Sequence, residues 1–289
     1  MTSGLPAFLA LTVVAALSGA PSSRRDRQRR TDLVVLSAPS SRAVYLRPLT
    51  LDLGSTEEEA LSALVRCKRE PLSDHCDETT FANEVPIRRG QHVPGFWMSR
   101  TEVSVAEYAR CVAAGRCARA GYEGGAQRFQ RGSLPVTLVS FDDARRYCTF
   151  RAGRLPTEAE FERAARGAAR RAYPWGRSFH GKLANHGRLG VDPTDASDGY
   201  VELAPVGSFP GGATPEGILD LAGNAAEWTS DAFLRDDGRP ASSERAVRGG
   251  HFASAAPFLR GAARAGKPPG AREPTLGFRC VWAVRPRDD

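Results

Sequence analysis

Residues 217–231 read GILDLAGNAAEWTSD, with two carboxylates, Asp220 and Glu227, on either side of a turn that contains Gly223. Glycine lets backbone carbonyls approach a cation closely, and hard oxygen donors without clustered His or Cys suit calcium better than a transition metal. A capped turn with solvated carboxylates is the competing reading. From about Tyr173 onward Gly, Pro, Asn and Asp recur every few residues, and no helical period lasts beyond a turn or two. Short strands are expected at 245–248 and 277–284, with loops elsewhere. Loops of that length have no repeating backbone ladder to hold them, so bound metal or disulfides are expected to do so.

Upstream of that half the pattern changes. Four hydroxyl residues are each followed three places later by a carboxylate, the reciprocal cap of a helix start: Ser55 with Glu58, Ser104 with Glu107, Ser140 with Asp143, and Thr157 with Glu160. Behind Ser104 the apolar Val105, Tyr108, Ala109 and Val112 recur at helical spacing, with Gly115 as the stop. Behind Ser140 the same face is carried by Phe141, Ala144, Tyr147 and Cys148, stopping at Gly153. Short amphipathic helices are thus expected in the first half and a loop-rich second half with short strands.

The chain has 289 residues, 41% hydrophobic and 25% charged, enough for one large domain. Its formal charge is +7, but residues 1–43 hold six Arg and two Asp, which is +4 and leaves +3 for the rest. So small an excess gives no support for a nucleic-acid partner. Leu5–Ala20 is an apolar run, too short to span a bilayer comfortably and ending in small residues, as a secretory signal does. The expected organisation is a signal peptide over 1–20, a basic linker over 21–43 and a folded domain over 44–285, exported to a periplasmic or secreted location with no membrane span after cleavage. A retained N-terminal anchor is the alternative. Six cysteines, at 67, 76, 111, 117, 148 and 280, form an even set with no CxxC, and the five His residues show no metal spacing, which favours disulfides over metal thiolates.

Read together, FWMSRTEVSVAEYARCV (96–112), LPVTLVSFDDARRYCTF (134–150), GRLPTEAEFERAARG (153–167), YPWG (173–176), GILDLAGNAAEWTSD (217–231), RAVRGGHF (245–252) and LGFRCVWA (276–283) resemble the sulfatase-modifying-factor (formylglycine-generating enzyme) family, in the family's order. The resemblance covers about residues 47 to 284. It implies an irregular, loop-rich α+β fold of one domain related to C-type lectins. It implies a calcium site at Asp220, the backbone of Gly223 and Ala225, and Glu227, and a second at Asn185 and Asp198 with the backbone carbonyls of His186 and Tyr200. Asp220 stands where the family more often has Asn. The resemblance also pairs Cys148 with Cys280, after which Cys67 with Cys76 and Cys111 with Cys117 are the simplest local loops. A further family bridge maps onto Ala165 and Gly261, so both of its halves are missing.

The family's enzymes oxidise a substrate cysteine with oxygen, using a cysteine pair that binds copper(I), a soft ion for which thiolate is the natural ligand. Here the corresponding segment, GGHFASAAPFLRGAAR (249–264), contains no Cys, and His251 is its one soft-metal ligand. Copper is therefore not expected. The reading is a divergent or non-catalytic, calcium-stabilised module that presents a groove, floored by Trp97, Trp175, Trp228 and the 249–264 loop, to a protein, peptide or glycan ligand. Plain core packing is the competing reading for Trp175 and Trp228. The alternative function is an oxidoreductase that modifies a protein or peptide side chain with a different metal arrangement.

Overall fold

In a computed structural model of the chain, the described residues are 40, 42–70, 76–188, 195–234 and 240–284, all within one unit spanning 37–284. The signal, most of the linker and residue 285 lie outside them. Four helices, α1 (Glu57–Cys67), α2 (Val105–Ala113), α3 (Phe141–Phe150) and α4 (Glu158–Arg166), each begin with a complete capping box. For α2, α3 and α4 the caps are Ser104, Ser140 and Thr157. For α1 the cap is Thr56 with Glu59, one residue beyond the expected Ser55 with Glu58. Ser55 has another partner: its hydroxyl donates to the buried Glu84 carboxylate at 2.6 Å. Helix α3 ends at Phe150 with Arg151 as its C-cap, and the left-handed residue that follows is Ala152, one before the expected Gly153.

Among the described residues nine strands form three sheets. One is antiparallel, β1 (Ala43–Leu46), β4 (Phe96–Ser99) and β9 (Val281–Ala283), in the order β1-β4-β9. β2 (Leu49–Leu53) pairs with β3 (Arg88–Val93). The third has the order β7-β6-β5-β8, with β5 (Ala226–Leu234), β6 (Pro240–Arg248) and β7 (Arg264–Lys267) antiparallel and β8 (Leu276–Gly277) parallel to β5. The expected strand at 277–284 is thus two strands, because 278–280 leave the sheet and carry Arg279 inward. β6 also extends further upstream than the expected 245–248.

Alternation in β4, with Phe96 and Met98 buried and Trp97 and Ser99 less so, turns one face onto Leu46, Phe161, Ile218 and Val281. The larger core joins α2 and α3 to the third sheet. Tyr108, Tyr147 and Phe278 meet there with ring centroids 5.5 to 6.3 Å apart. Trp228 belongs to that core, fully buried, its indole N–H donating to the Val139 carbonyl at 3.1 Å. Trp175 stacks on Tyr173 at 5.3 Å and Trp97 tilts against Tyr45 at 5.4 Å. Trp97 packs against the same core as Trp228 and Trp175 against a separate cluster, and none of the three lines the cavity under the 249–264 segment.

Three disulfides join Cys67–Cys76, Cys111–Cys117 and Cys148–Cys280, leaving no free cysteine among the described residues. None has an end between 168 and 225, where the described residues form no helix or strand beyond two three-residue turns. Buried side chains bond that backbone instead. Asn224 Oδ1 accepts from the Ala204 N–H at 2.9 Å and from Asn185 Nδ2 at 3.0 Å. Arg279 Nη2 donates to the carbonyls of Leu219 and Asp220 at 3.0 and 3.1 Å. Backbone groups that lack a ladder must find such partners once they are out of water.

Candidate functional site

The cysteine-free segment leaves β6 at Gly249, returns in β7, and encloses a cavity of about 320 Å³. Two of its hydrogen bonds anchor it to the 217–231 turn: the Gly223 N–H donates to the Gly249 carbonyl, and the Phe252 N–H to the Asn224 carbonyl. Ala226, Val247, Phe258 and Leu276 give the cavity apolar walls, and its polar groups include His251, Lys267 and Glu273 beside Ser254, Thr275, Arg248 and Arg264. Lys267 Nζ reaches both carboxylate oxygens of Glu273 at 2.8 Å. The Ala253 N–H donates to His251 Nδ1 at 3.2 Å, which leaves the proton of the neutral ring on Nε2. Burial, and then the charge of Lys267, push His251 down to about 4 against the opposing pull of Glu273. At neutral pH the imidazole is therefore uncharged, a donor through Nε2.

Copper(I) does not fit these residues. The cavity's one soft ligand is the His251 imidazole; the other polar groups are an amine, a carboxylate, two hydroxyls and two guanidiniums, and every cysteine among the described residues is in a disulfide.

Behind the cavity lies a chain of alternating charges. Arg264 pairs with Glu158, and Glu158 with the fully buried Arg248 at 3.2 Å. Arg248 pairs with Glu162 at 2.9 Å and Glu162 with Arg166 at 3.2 Å. Arg166 and Arg170 both reach Glu59 at 2.8 Å. Burial alone would raise the Glu158 carboxyl, but Arg248 and Arg264 outweigh it and hold it below the usual range.

The candidate calcium residues fall into two adjoining loops. Gly223 has φ +86°, and a Cβ there would stand 2.0 Å from the Asn185 carbonyl, so only glycine lets the loops meet. In the second loop Asp198 accepts from the His186 N–H at 2.6 Å and the Tyr200 N–H at 2.8 Å, bringing the four named residues together. Asn185 Oδ1 is buried there without a hydrogen-bond partner, an oxygen that suits a hard cation.

The first loop is different. Glu227 is fully buried and both its oxygens accept from Arg279, at 2.6 to 3.0 Å, so a cation there competes with a guanidinium. Asp220 has φ +57°, a conformation that Asn and Asp tolerate better than most residues. Its Oδ2 accepts from the Gly207 N–H at 2.6 Å. Beside it lies Glu102, buried, which the sequence reading did not single out. Burial, and then the Asp220 carboxylate, raise its carboxyl well above the usual range. Among the described residues no three His, Cys, Asp or Glu side chains form a ready metal cage.

The family model described as sulfatase-modifying factor enzyme 1-like domain matches residues 66–284. Inactive C-alpha-formylglycine-generating enzyme 2 of Mus musculus is 38% identical over 168 residues, 54% of this chain and 52% of that protein. Formylglycine-generating enzyme of Bos taurus is 35% identical over 168 residues, 52% of this chain and 44% of that protein. The chain thus spans about half the length of the curated relatives it matches. One of these names denotes an inactive protein and the other an enzyme, so likeness alone does not assign an activity. The structure of PvdO from Pseudomonas aeruginosa is similar with a TM-score of 0.63 at 22% identity, covering 86% of this chain and 97% of that one. At that identity the likeness is one of fold.

Proposed function

Because this chain belongs to the sulfatase-modifying factor enzyme 1-like family, we propose that it is a divergent member that does not form formylglycine and uses the cavity behind Gly249 to hold a peptide side chain. The observation that carries this reading is the cavity's composition, with apolar walls, a neutral imidazole, an amine-carboxylate pair, the hydroxyls of Ser254 and Thr275 and the paired guanidiniums of Arg248 and Arg264, but no sulfur. Apolar walls with a few placed polar groups are the usual makeup of a recognition pocket. In this reading the domain serves as a lectin-like binding module. Calcium stiffens it at Asn185, His186, Asp198 and Tyr200, and with less room at Asp220, Gly223, Ala225 and Glu227. The calcium would bridge loops that no disulfide reaches and would take no part in chemistry. Three disulfides suit an oxidising compartment, in keeping with an exported protein.

The test is incubation of the copper-loaded protein with a cysteine-containing sulfatase peptide, read by peptide mass. No mass loss is expected. Binding of the same peptide to immobilised protein should weaken when Ala253→Trp fills the cavity mouth. Turnover that disappears in His251→Ala would instead establish the oxidoreductase reading with a different ligand set.

A further inference from the structure

A second cavity, of about 440 Å³, lies at the other end of the charge chain, between α1 and the segments around Arg177 and Arg260. Helical spacing places Glu58 and Arg66 two turns apart on the α1 wall. Four guanidiniums, those of Arg66, Arg166, Arg177 and Arg260, line the cavity against two carboxylates, Glu58 and Glu59.

Pairing divides these groups unequally. Glu59 is held by Arg166 and Arg170. Arg260 binds the buried Glu84 at 2.6 and 3.0 Å and lies over the Phe81 ring. Neither Arg66 nor Arg177 has an acidic partner among the described residues, and both are exposed. Arg66 also lies within hydrogen-bonding reach of the buried Tyr173 hydroxyl, a neutral partner that leaves its charge uncompensated. Two guanidiniums without a carboxylate partner among the described residues therefore face the cleft, where carboxylates already offset Arg166 and Arg260 and Glu58 is the one further acid in the lining. Concave walls concentrate field, and a planar guanidinium matches an oxyanion through two parallel hydrogen bonds. The space is larger than a bare phosphate needs and lies within the range of small-ligand sites.

We propose that this cleft binds a small organic molecule carrying a tetrahedral oxyanion ester, with Arg66 and Arg177 gripping the anionic group. The shared chemistry covers phosphate and sulfate monoesters, and the two are separated by titrating glucose 6-phosphate and glucose 6-sulfate. Glucose and inorganic phosphate serve as controls. Calorimetry on the full chain at low ionic strength should show saturable binding of at least one ester, weaker binding of inorganic phosphate and none of glucose. Added salt should weaken it. Arg66→Ala with Arg177→Ala should reduce ester affinity about ten-fold or more, as for the loss of charge-assisted hydrogen bonds. Unfolding without ligand should hardly change, since both side chains are exposed. Absence of ester binding at millimolar concentration, binding equal to that of inorganic phosphate, or binding that survives the double substitution would each overturn the proposal.

Discussion

Glu227 and Arg279 meet through three hydrogen bonds with neither side chain exposed to solvent. Among the described residues Arg279 is the one guanidinium paired with Glu227, and Asp220 and Glu102 lie close enough to feel its charge. Arg279→Met would leave buried carboxylates with no cation and the carbonyls of Leu219 and Asp220 without their donor. Removal of one partner of a buried pair costs about 3–5 kcal/mol. Urea unfolding should show a loss in that range, and a loss below about 1 kcal/mol would mean that the pair is not what holds the 219–227 turn.

Calcium should raise the melting temperature, and a chelator should lower it, by mass action on the folded state. Asp198→Ala should abolish most of that shift, because it removes the carboxylate that gathers His186 and Tyr200. A chelator without effect on thermal unfolding of the wild-type protein would remove calcium from the account.

A Cβ built on Gly261 would lie 3.1 Å from that of Ala165 and 2.6 Å from Arg166 Cγ. The two positions where the family has a further bridge are therefore neighbours. Gly261→Ala alone should destabilise, because Arg166 is pinned by Glu59, Glu162 and the Gly54 carbonyl and cannot easily withdraw. Ala165→Cys with Gly261→Cys should form a fourth disulfide, detected by peptide mapping without reduction. It should recover stability up to the chain-entropy limit of about 4–5 kcal/mol, less the cost of moving Arg166. Free thiols at both positions after oxidation would show that the backbones do not approach as described.

His251 governs an acid sensitivity. Its pKa falls from an ordinary 6.5 to about 4 on folding, so the unfolded chain binds the proton more readily. Its contribution is complete above about 6.5 and declines as the pH drops toward 4, at no more than about 1.4 kcal/mol per unit. Urea midpoints of the wild type and of His251→Asn, compared between neutral pH and about pH 5, should show the flatter dependence in the variant. Parallel curves would place the imidazole in water. Carboxylate titrations common to both proteins cancel in the comparison.

Local signals were legible and distant ones were not. Three helix starts followed from residues three apart, whereas the start of α1 moved by one residue because Ser55 bonds to Glu84, far along the chain. β5 passed unnoticed because AEWTSDAFL overlaps a phrase read as a metal turn. Gly223 stood out as a place where the backbone could approach a cation, whereas what a Cβ there would meet, the Asn185 carbonyl, is set by tertiary structure. Arg279 gave a faint signal, a charged residue inside the apolar phrase LGFRCVWA, whereas Glu102, among Arg100, Thr101 and Ser104, gave none. Their burial could not be foreseen because it depends on neighbours from other segments. The 249–264 segment showed what was missing, but the cavity walls at Ala226, Val247 and Leu276 come from strands that only the sheet brings together.

The run of charges from Arg264 through Glu158, Arg248, Glu162 and Arg166 to Glu59 makes the two cavities share one thermodynamic system. Each buried ion in it divides its attraction between two partners, so loss of one link changes what the next is worth. Glu158→Gln acts on Arg248 and Arg264, which line one cavity, and Glu59→Gln removes a lining group of the other, yet a double-mutant cycle should give a sum that departs from additivity by more than the few tenths of a kcal/mol typical of independent sites. Evolution of either pocket is correspondingly constrained, since a substitution accepted at one mouth alters the background against which the other is selected.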